Sequence, residues 1–296
     1  MHLHHITGQS YYLKGPVNIG VFVTGRGGCI LVDTGLDETS GRQVMRALRD
    51  EGLVPTAIVN THAHADHFGG NRFIVQRTGA RVCAGPLHRA IIENPFLSPF
   101  YLYGAAPIRE ITGKFLMAEA CAVDEVLAPG PVTLEGAELQ IIDLDGHAPG
   151  QLGVATPDGV LYAGDAFLDA GIIDKYRLLY NADIAAAKNT LERLKETAYG
   201  YYLPGHGSLT DGPGTTLDRN IEAIRETEEL ILGCCVDGLT REEVMTRVVA
   251  EYGINLNPEQ YVLVFSTISA YLAALHNEGR LALTFKDHRM LWTSTA

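Results

Sequence analysis

The 296-residue chain has no run of about 18 consecutive apolar residues, which excludes a transmembrane helix. It has no Cys-x-x-Cys pair. Its cysteines (Cys29, Cys83, Cys121, Cys234 and Cys235) are odd in number, which argues against a disulfide framework or a thiolate zinc cluster. Reduced thiols in a cytoplasmic protein are the reading, with the adjacent Cys234 and Cys235 as side chains at the end of an apolar helix. The N-terminal residues lack a basic stretch followed by an apolar one, so no secretory leader is expected. Basic residues are scarce too. Lys and Arg number 23 against 35 Asp and Glu, a net charge of -12, which argues against a general nucleic-acid binder. No internal repeat or low-complexity tract breaks a composition, 46% hydrophobic and 20% charged, that is typical of a globular protein of one or two domains.

What the chain does have is concentrated in one place. Thr61-His62-Ala63-His64-Ala65-Asp66-His67 follows the apolar run Ala57-Ile58-Val59 and puts three imidazoles and a carboxylate in six residues. Divalent metals of borderline softness bind imidazole nitrogen and carboxylate oxygen. In extended chain, residues i and i+2 point the same way, so His62 and His64 can close on one ion. Asp66 and His67, entering a helix, can turn towards a second.

The surrounding pattern alternates strand and helix. Residues 19–24 and 29–34 read as strands joined by Gly25-Arg26-Gly27-Gly28, 39–51 as an amphipathic helix, and 56–60 as a buried strand. Residues 68–78 read as a helix and 81–84 as a strand. Residues 93–118, with Pro95, Pro99, Pro107 and many aromatics, read as an insertion of irregular structure and some helix, serving either as a lid or binding loop or as a dimer contact or local core packing. Strands at 138–144, 151–156 and 159–163, a helix at 183–197 and a strand at 201–203 repeat the β-then-α order. Two mixed sheets packed face to face with helices outside, an α/β fold of the αββα type, are expected. Helices at 215–235, 240–252 (opened by a Thr240/Glu243 capping box) and 258–278, then a hairpin at 281–293, suggest a winged-helix-like appendage. The division expected is residues 1–212 and 213–296.

Three later strand ends carry ligand-type residues: Asp143-Leu144-Asp145-Gly146-His147, Leu161-Tyr162-Ala163-Gly164-Asp165, and Tyr202-Leu203-Pro204-Gly205-His206-Gly207. In that order after His-x-His-x-Asp-His, they make the chain resemble the metallo-β-lactamase superfamily over about residues 15–210. The resemblance implies a first metal site of His62, His64 and His147 and a second of Asp66, His67 and His206, with Asp165 bridging both ions. It also implies that Asp33, in Leu31-Val32-Asp33-Thr34-Gly35, supports the ligands from behind. His64 stands where flavodiiron relatives have Glu, and Asp66-His67 differs from lactamases that carry Arg or Cys in the second site. Phe68-Gly69-Gly70-Asn71 is closer to glyoxalase II-like and general hydrolase members.

The resemblance therefore implies two divalent ions, zinc foremost, with iron and manganese also compatible, and water activated for attack on a small ester, thioester or lactone. Asp66 would double as metal ligand and catalytic proton acceptor. Tyr101, Tyr103 and Tyr180 are candidate donors to the developing oxyanion and to substrate. Two alternatives remain: a phosphodiesterase or ribonuclease of the same fold, against which the acidic balance counts, and a mononuclear-iron sulfur dioxygenase. The expected partner is a small molecule, with neither nucleic acid nor membrane, and a homodimer through the insertion is open. His2, His4 and His5 read as surface residues of a frayed end.

Overall fold

The computed structural model describes residues 1–295. Chain order is β1 (Leu3–Thr7), β2 (Ser10–Leu13), β3 (Ile19–Val23), β4 (Gly28–Val32), α1 (Glu38–Asp50), β5 (Val54–Asn60), α2 (Ala65–Phe68), α3 (Asn71–Thr78), β6 (Arg81–Ala84), α4 (Pro86–Glu93) and α5 (Leu97–Tyr103). Then come β7 (Glu125–Val126), β8 (Gly130–Leu134), β9 (Ala137–Asp143), β10 (Leu152–Ala155), β11 (Val160–Gly164), α6 (Ala170–Tyr176), α7 (Ile184–Lys195) and β12 (Tyr201–Pro204). The last part is α8 (Gly214–Cys234), α9 (Arg241–Tyr252), α10 (Pro258–Asn277), β13 (Leu281–Lys286) and β14 (Arg289–Ser294).

β1 to β7 lie side by side in chain order in one sheet, and β12-β11-β10-β9-β8 form the second. Both are mixed. β4 to β7 run parallel after an antiparallel meander, and β12 joins β11 in parallel. The central strand β4 is buried on both faces, as its unbroken Cys-Ile-Leu-Val predicts. Ile30 and Val32 face Ile141, Val154 and Tyr162 between the sheets, while Cys29 and Leu31 meet Val44, Leu48 and Ile74 of α1 and α3 outside. α7 covers the second sheet, and its cluster runs without a break into α8 to α10. Helix–sheet–sheet–helix layering is the result, the αββα arrangement the β-then-α order predicts.

Several local readings differ from the structure. The N-terminal residues are not frayed. β1 pairs with β2, and across the hairpin His4 stacks on Tyr12 (centroids 5.1 Å) while His5 meets Tyr11 at a tilt (4.8 Å), on an exposed edge. The helix expected over 68–78 is two, split at Gly69-Gly70, because those residues pass under the loop after β4. α4, α6 and β8 were not expected. α9 does open at a complete Thr240/Glu243 capping box. The C-terminal hairpin is tied back by a Leu239–Trp292 bridge. No helix among the described residues is long and apolar enough to cross a membrane.

The tight approach at Gly69 makes a prediction. A Cβ there would overlap the Leu36 carbonyl, a backbone atom that cannot swing aside. Gly69→Ala is therefore expected to cost about 3 kcal/mol in urea unfolding. Gly233→Ala, in the last turn of α8 with open space around it, is expected to add roughly 0.5–1 kcal/mol.

Candidate metal centre

The strand ends converge at one edge of the sandwich. β5 ends at Asn60 and the chain continues extended through His62 and His64. It then turns into α2, whose first turn carries Asp66 and His67. His147 follows β9, Asp165 follows β11, and His206 follows β12. Gly205 is required for the last of these: a Cβ on it would overlap Asp165 Oδ1 and press on the His67 ring.

The nitrogen and oxygen groups that meet there are arranged as two linked sets. His64 Nδ1 lies 3.0 Å from His62 Nε2 and 2.9 Å from His147 Nε2. His206 Nε2 lies 3.3 Å from Asp66 Oδ2 and 3.5 Å from Asp165 Oδ2. Asp165 Oδ2 is also 3.4 Å from His67 Nε2 and 3.5 Å from His147 Nε2, so this carboxylate stands between the sets. The triplets His62/His64/His147, His62/His67/Asp165 and Asp66/His67/His206 are each compact enough to ligate an ion.

The far side of each ring shows which nitrogen is free. Thr61 Oγ1 donates to Asp33 Oδ2 (2.8 Å), so it can only accept from His62 Nδ1, at 3.0 Å. His147 Nδ1 donates to the Tyr180 carbonyl (3.0 Å), His206 Nδ1 to the Pro16 carbonyl (2.8 Å), and His67 Nδ1 to Asp33 Oδ2 (2.8 Å). With those hydrogens outward, all four Nε2 atoms point inward, those of His62 and His147 as lone pairs and those of His67 and His206 against the Asp66 and Asp165 carboxylates. His64 Nδ1 then faces two lone pairs with at most one proton to give. His67 Nε2 and Asp165 Oδ1 are buried with no hydrogen-bond partner. A cation resolves both shortages. Ligand atoms about 2.0–2.1 Å from a tetrahedral zinc sit about 3.3 Å apart, and the separations found bracket that value.

Titration divides the cluster. Burial, with repulsion from neighbouring rings, holds His62 well below its usual pKa, brings His64 down to about 3 and lowers His147. Burial also opposes charge on His67 and His206, but the carboxylates outweigh it. Asp165, Asp33 and Asp66 raise His67 well above its usual value, and Asp165 and Asp66 bring His206 to about 9. Burial would raise Asp66, yet His67 and His206 bring it down to about 2, and Asp165 is lowered by the same two rings and by His147.

Above the cluster lies a cavity of about 150 Å³. Its floor includes His64, Asp66, His147 and Asp165; its cover comes from Ser98 and Leu102 of α5, Phe115 and Leu116 of the insertion, and Leu263 of α10. Tyr180 closes one side, its ring 5.4 Å from those of both His64 and His147. Tyr101 is half exposed, but its hydroxyl end is buried beside Tyr180 and Ser98, and Ser266 of α10 meets the Tyr180 hydroxyl. Burial raises both tyrosines, so both remain phenol donors. Tyr103 stands exposed at the end of α5, away from the cavity. The sequence reading missed Leu263, Ser266 and the carbonyls of Pro16 and Tyr180. A backbone carbonyl carries no residue signature, and α10 is brought to the site by tertiary packing, with Val262 on Leu102, Ile111 and Leu116.

Layered sheets whose strand ends gather histidines and aspartates define a fold built around a candidate metal site. The sequence model of the metallo-beta-lactamase superfamily matches residues 13–206, and the chain belongs to that superfamily of metallo-hydrolases. It is 24% identical over 262 residues to the Beta-lactamase-like protein 2 homolog of Drosophila melanogaster, covering 86% of this chain and 80% of that one. To the Hydroxyacylglutathione hydrolase of Erythrobacter litoralis it is 26% identical over 138 residues, 46% of this chain, and it spans only 43% of that relative's length. The fold is shared with a metallo-beta-lactamase family protein from Thermus thermophilus, with a TM-score of 0.75, 20% identity, and coverage of 97% of this chain and 98% of that one. It is also shared with a beta-lactamase domain protein from Burkholderia ambifaria, with a TM-score of 0.74, 17% identity, and coverage of 99% and 93%.

Two outcomes are expected. Asn tolerates the left-handed backbone of residue 33 (φ 66), so Asp33→Asn removes the charge without backbone strain. It should weaken metal binding by about 10–100-fold in a competition titration with a chromophoric chelator. Because His67 and His206 carry protons at neutral pH in the metal-free protein, binding should release one proton from each at pH 7. That release should shrink as pH rises through about 9 for His206, read by calorimetry in buffers of different ionisation enthalpy.

Proposed function

We propose that the chain is a binuclear metal-dependent hydrolase acting on a small ester, thioester or lactone. The observation that carries this reading is the inward convergence of imidazole nitrogens and two ionised carboxylates directly beneath a half-open, mainly apolar cavity. His62, His64 and His147 would hold one ion, and Asp66, His67 and His206 the other, with Asp165 shared. Ions held there would supply Lewis acidity at the scissile carbonyl and make water nucleophilic at neutral pH.

The chain's own side chains supply the rest. Asp66 lines the cavity and is ionised, placed to accept a proton from the attacking water. With a pKa near 2 it gives that proton up again readily, so it relays a proton rather than storing one. Tyr180, with Tyr101 bonded to its hydroxyl, offers a neutral donor to the carbonyl oxygen as negative charge develops. The apolar cover from α5, Phe115, Leu116 and Leu263 would, with substrate seated beneath it, limit water that competes for the electrophile. The relatives named as hydroxyacylglutathione hydrolases support the thioester member of this group. A cavity without a Lys or Arg among its lining residues gives a phosphodiester no counter-charge beyond the ligand cluster.

The test is metal quantification followed by a panel of thioester, lactone, phosphodiester and β-lactam substrates. Two divalent ions per chain are expected, with thioester or lactone turnover that a chelator abolishes and zinc restores. Full activity with less than one ion per chain, or a tenfold preference for phosphodiesters, would overturn the reading.

A further inference from the structure

Resting on the hydrolase reading, we propose that the substrate's acyl part is neutral, apolar and short, seated between α5, the Phe115-Leu116 turn and α10. The cavity of about 150 Å³ has room for about five water-sized groups, which is a chain of four to six carbons with the carbonyl over the ligand cluster. Its walls beyond the ligands are Leu102, Phe115, Leu116 and Leu263, with Ser98 and Tyr180 as the polar groups. Both polar groups are hydroxyls, which offer hydrogen bonds but no ion pair.

Among the described residues, no Lys or Arg side chain lines the cavity. The cation adjacent to its wall in sequence, Lys114, is directed away to Asp37 Oδ2, 2.7 Å distant. A carboxylate on the far end of the acyl chain would lie against leucine side chains with no partner, at a large desolvation cost. Nor can the cavity take the carboxylates of a peptide-like thiol; a thiol leaving group lies at the mouth, outside the apolar wall. Leu102 and Leu116 pack with Ile111 and Val262 in one cluster, so the depth is set by the packing of the insertion on α10. In the reaction water's oxygen forms the new C–O bond, the C–S bond breaks, and a proton passes to the departing thiolate.

The experiment uses the metal-loaded chain and thioesters of one neutral thiol with acetyl, butanoyl, hexanoyl, decanoyl and succinyl groups. The expected kcat/KM rises about fourfold per methylene up to the filled length, falls at least tenfold for decanoyl, and is at least a hundredfold lower for succinyl than for butanoyl. Leu263→Ala is expected to move the optimum to a longer chain, and Leu263→Arg to favour succinyl at the expense of butanoyl. A flat profile, or succinyl equal to butanoyl, would overturn the inference. A parallel measurement separates it from the hydrolase reading: pentan-2-one titrated into the metal-free protein should shift the methyl NMR signals of Leu102, Leu116 and Leu263, while succinate should not. Ketone binding without thioester turnover would sink the hydrolase reading and keep the cavity assignment. Absence of ketone binding would sink the cavity assignment whatever the turnover.

Discussion

The Asp33 carboxylate is the interaction on which the site depends. It is buried just past β4 in a left-handed backbone conformation, and its N–H bonds to the Val59 carbonyl at 2.9 Å. Three donors reach its two oxygens: the Thr61 N–H and hydroxyl and the His67 Nδ1–H, each at 2.8 Å. A buried charge is tolerated only when saturated in this way. Once it is, the consequences are fixed. The ends of β4 and β5 are held in register, the Thr61 hydroxyl must accept from His62, and His67 must present its other nitrogen to the cavity. One carboxylate thereby sets the tautomer of a ring in each half of the cluster.

The motif residues were legible in the sequence because their spacing carries geometry. His62 and His64 share a face in extended chain, and the glycines before His147, Asp165 and His206 mark strand ends where the backbone turns sharply. Their pairing into two sets came with the family resemblance, since residues so far apart in the chain are joined only by tertiary structure. The layered fold was legible for a related reason: unbroken apolar strands such as Cys29-Ile30-Leu31-Val32 need cover on both faces. The β1–β2 hairpin escaped notice because its alternation of histidine, tyrosine and leucine is that of an edge strand, whose stability comes from cross-strand stacking. The cover over the cavity was half legible. Apolar residues in the insertion announced a binding loop or a contact; that they meet α10, far along the chain, did not show in any local pattern.

The Phe68-Gly69-Gly70-Asn71 continuation links motif to fold in a way that periodicity hides. Asn71 bonds Asn60 in both directions and accepts from the Thr34 hydroxyl at 2.8 Å, and the Thr34 N–H donates to the His67 carbonyl at 2.8 Å. The helix carrying Asp66 and His67 is short, so intrahelical bonds alone cannot hold its orientation. Orientation comes instead from these buried polar ties. They are also why two glycines follow, since only a backbone without Cβ lies close enough to residues 34–36 for the ties to form.

The opposite titration of the two halves has a chemical consequence. The three imidazoles of His62, His64 and His147 are neutral, so an ion held among them would share only the Asp165 carboxylate, keep more of its charge and act as the stronger Lewis acid. Asp66 and Asp165 are anionic, so an ion beside His67 and His206 would be partly neutralised and bind through charge as well as lone pairs. Tyr180 lies against the neutral half, its carbonyl oriented by His147 and its ring on His64. Asp66 lies on the anionic half. In the proposed reaction a substrate carbonyl would meet the electrophilic side next to a neutral donor, and the water the side where a proton can be accepted. The asymmetry follows from where the carboxylates fall on the strands, and it would orient such a reaction before any substrate arrives.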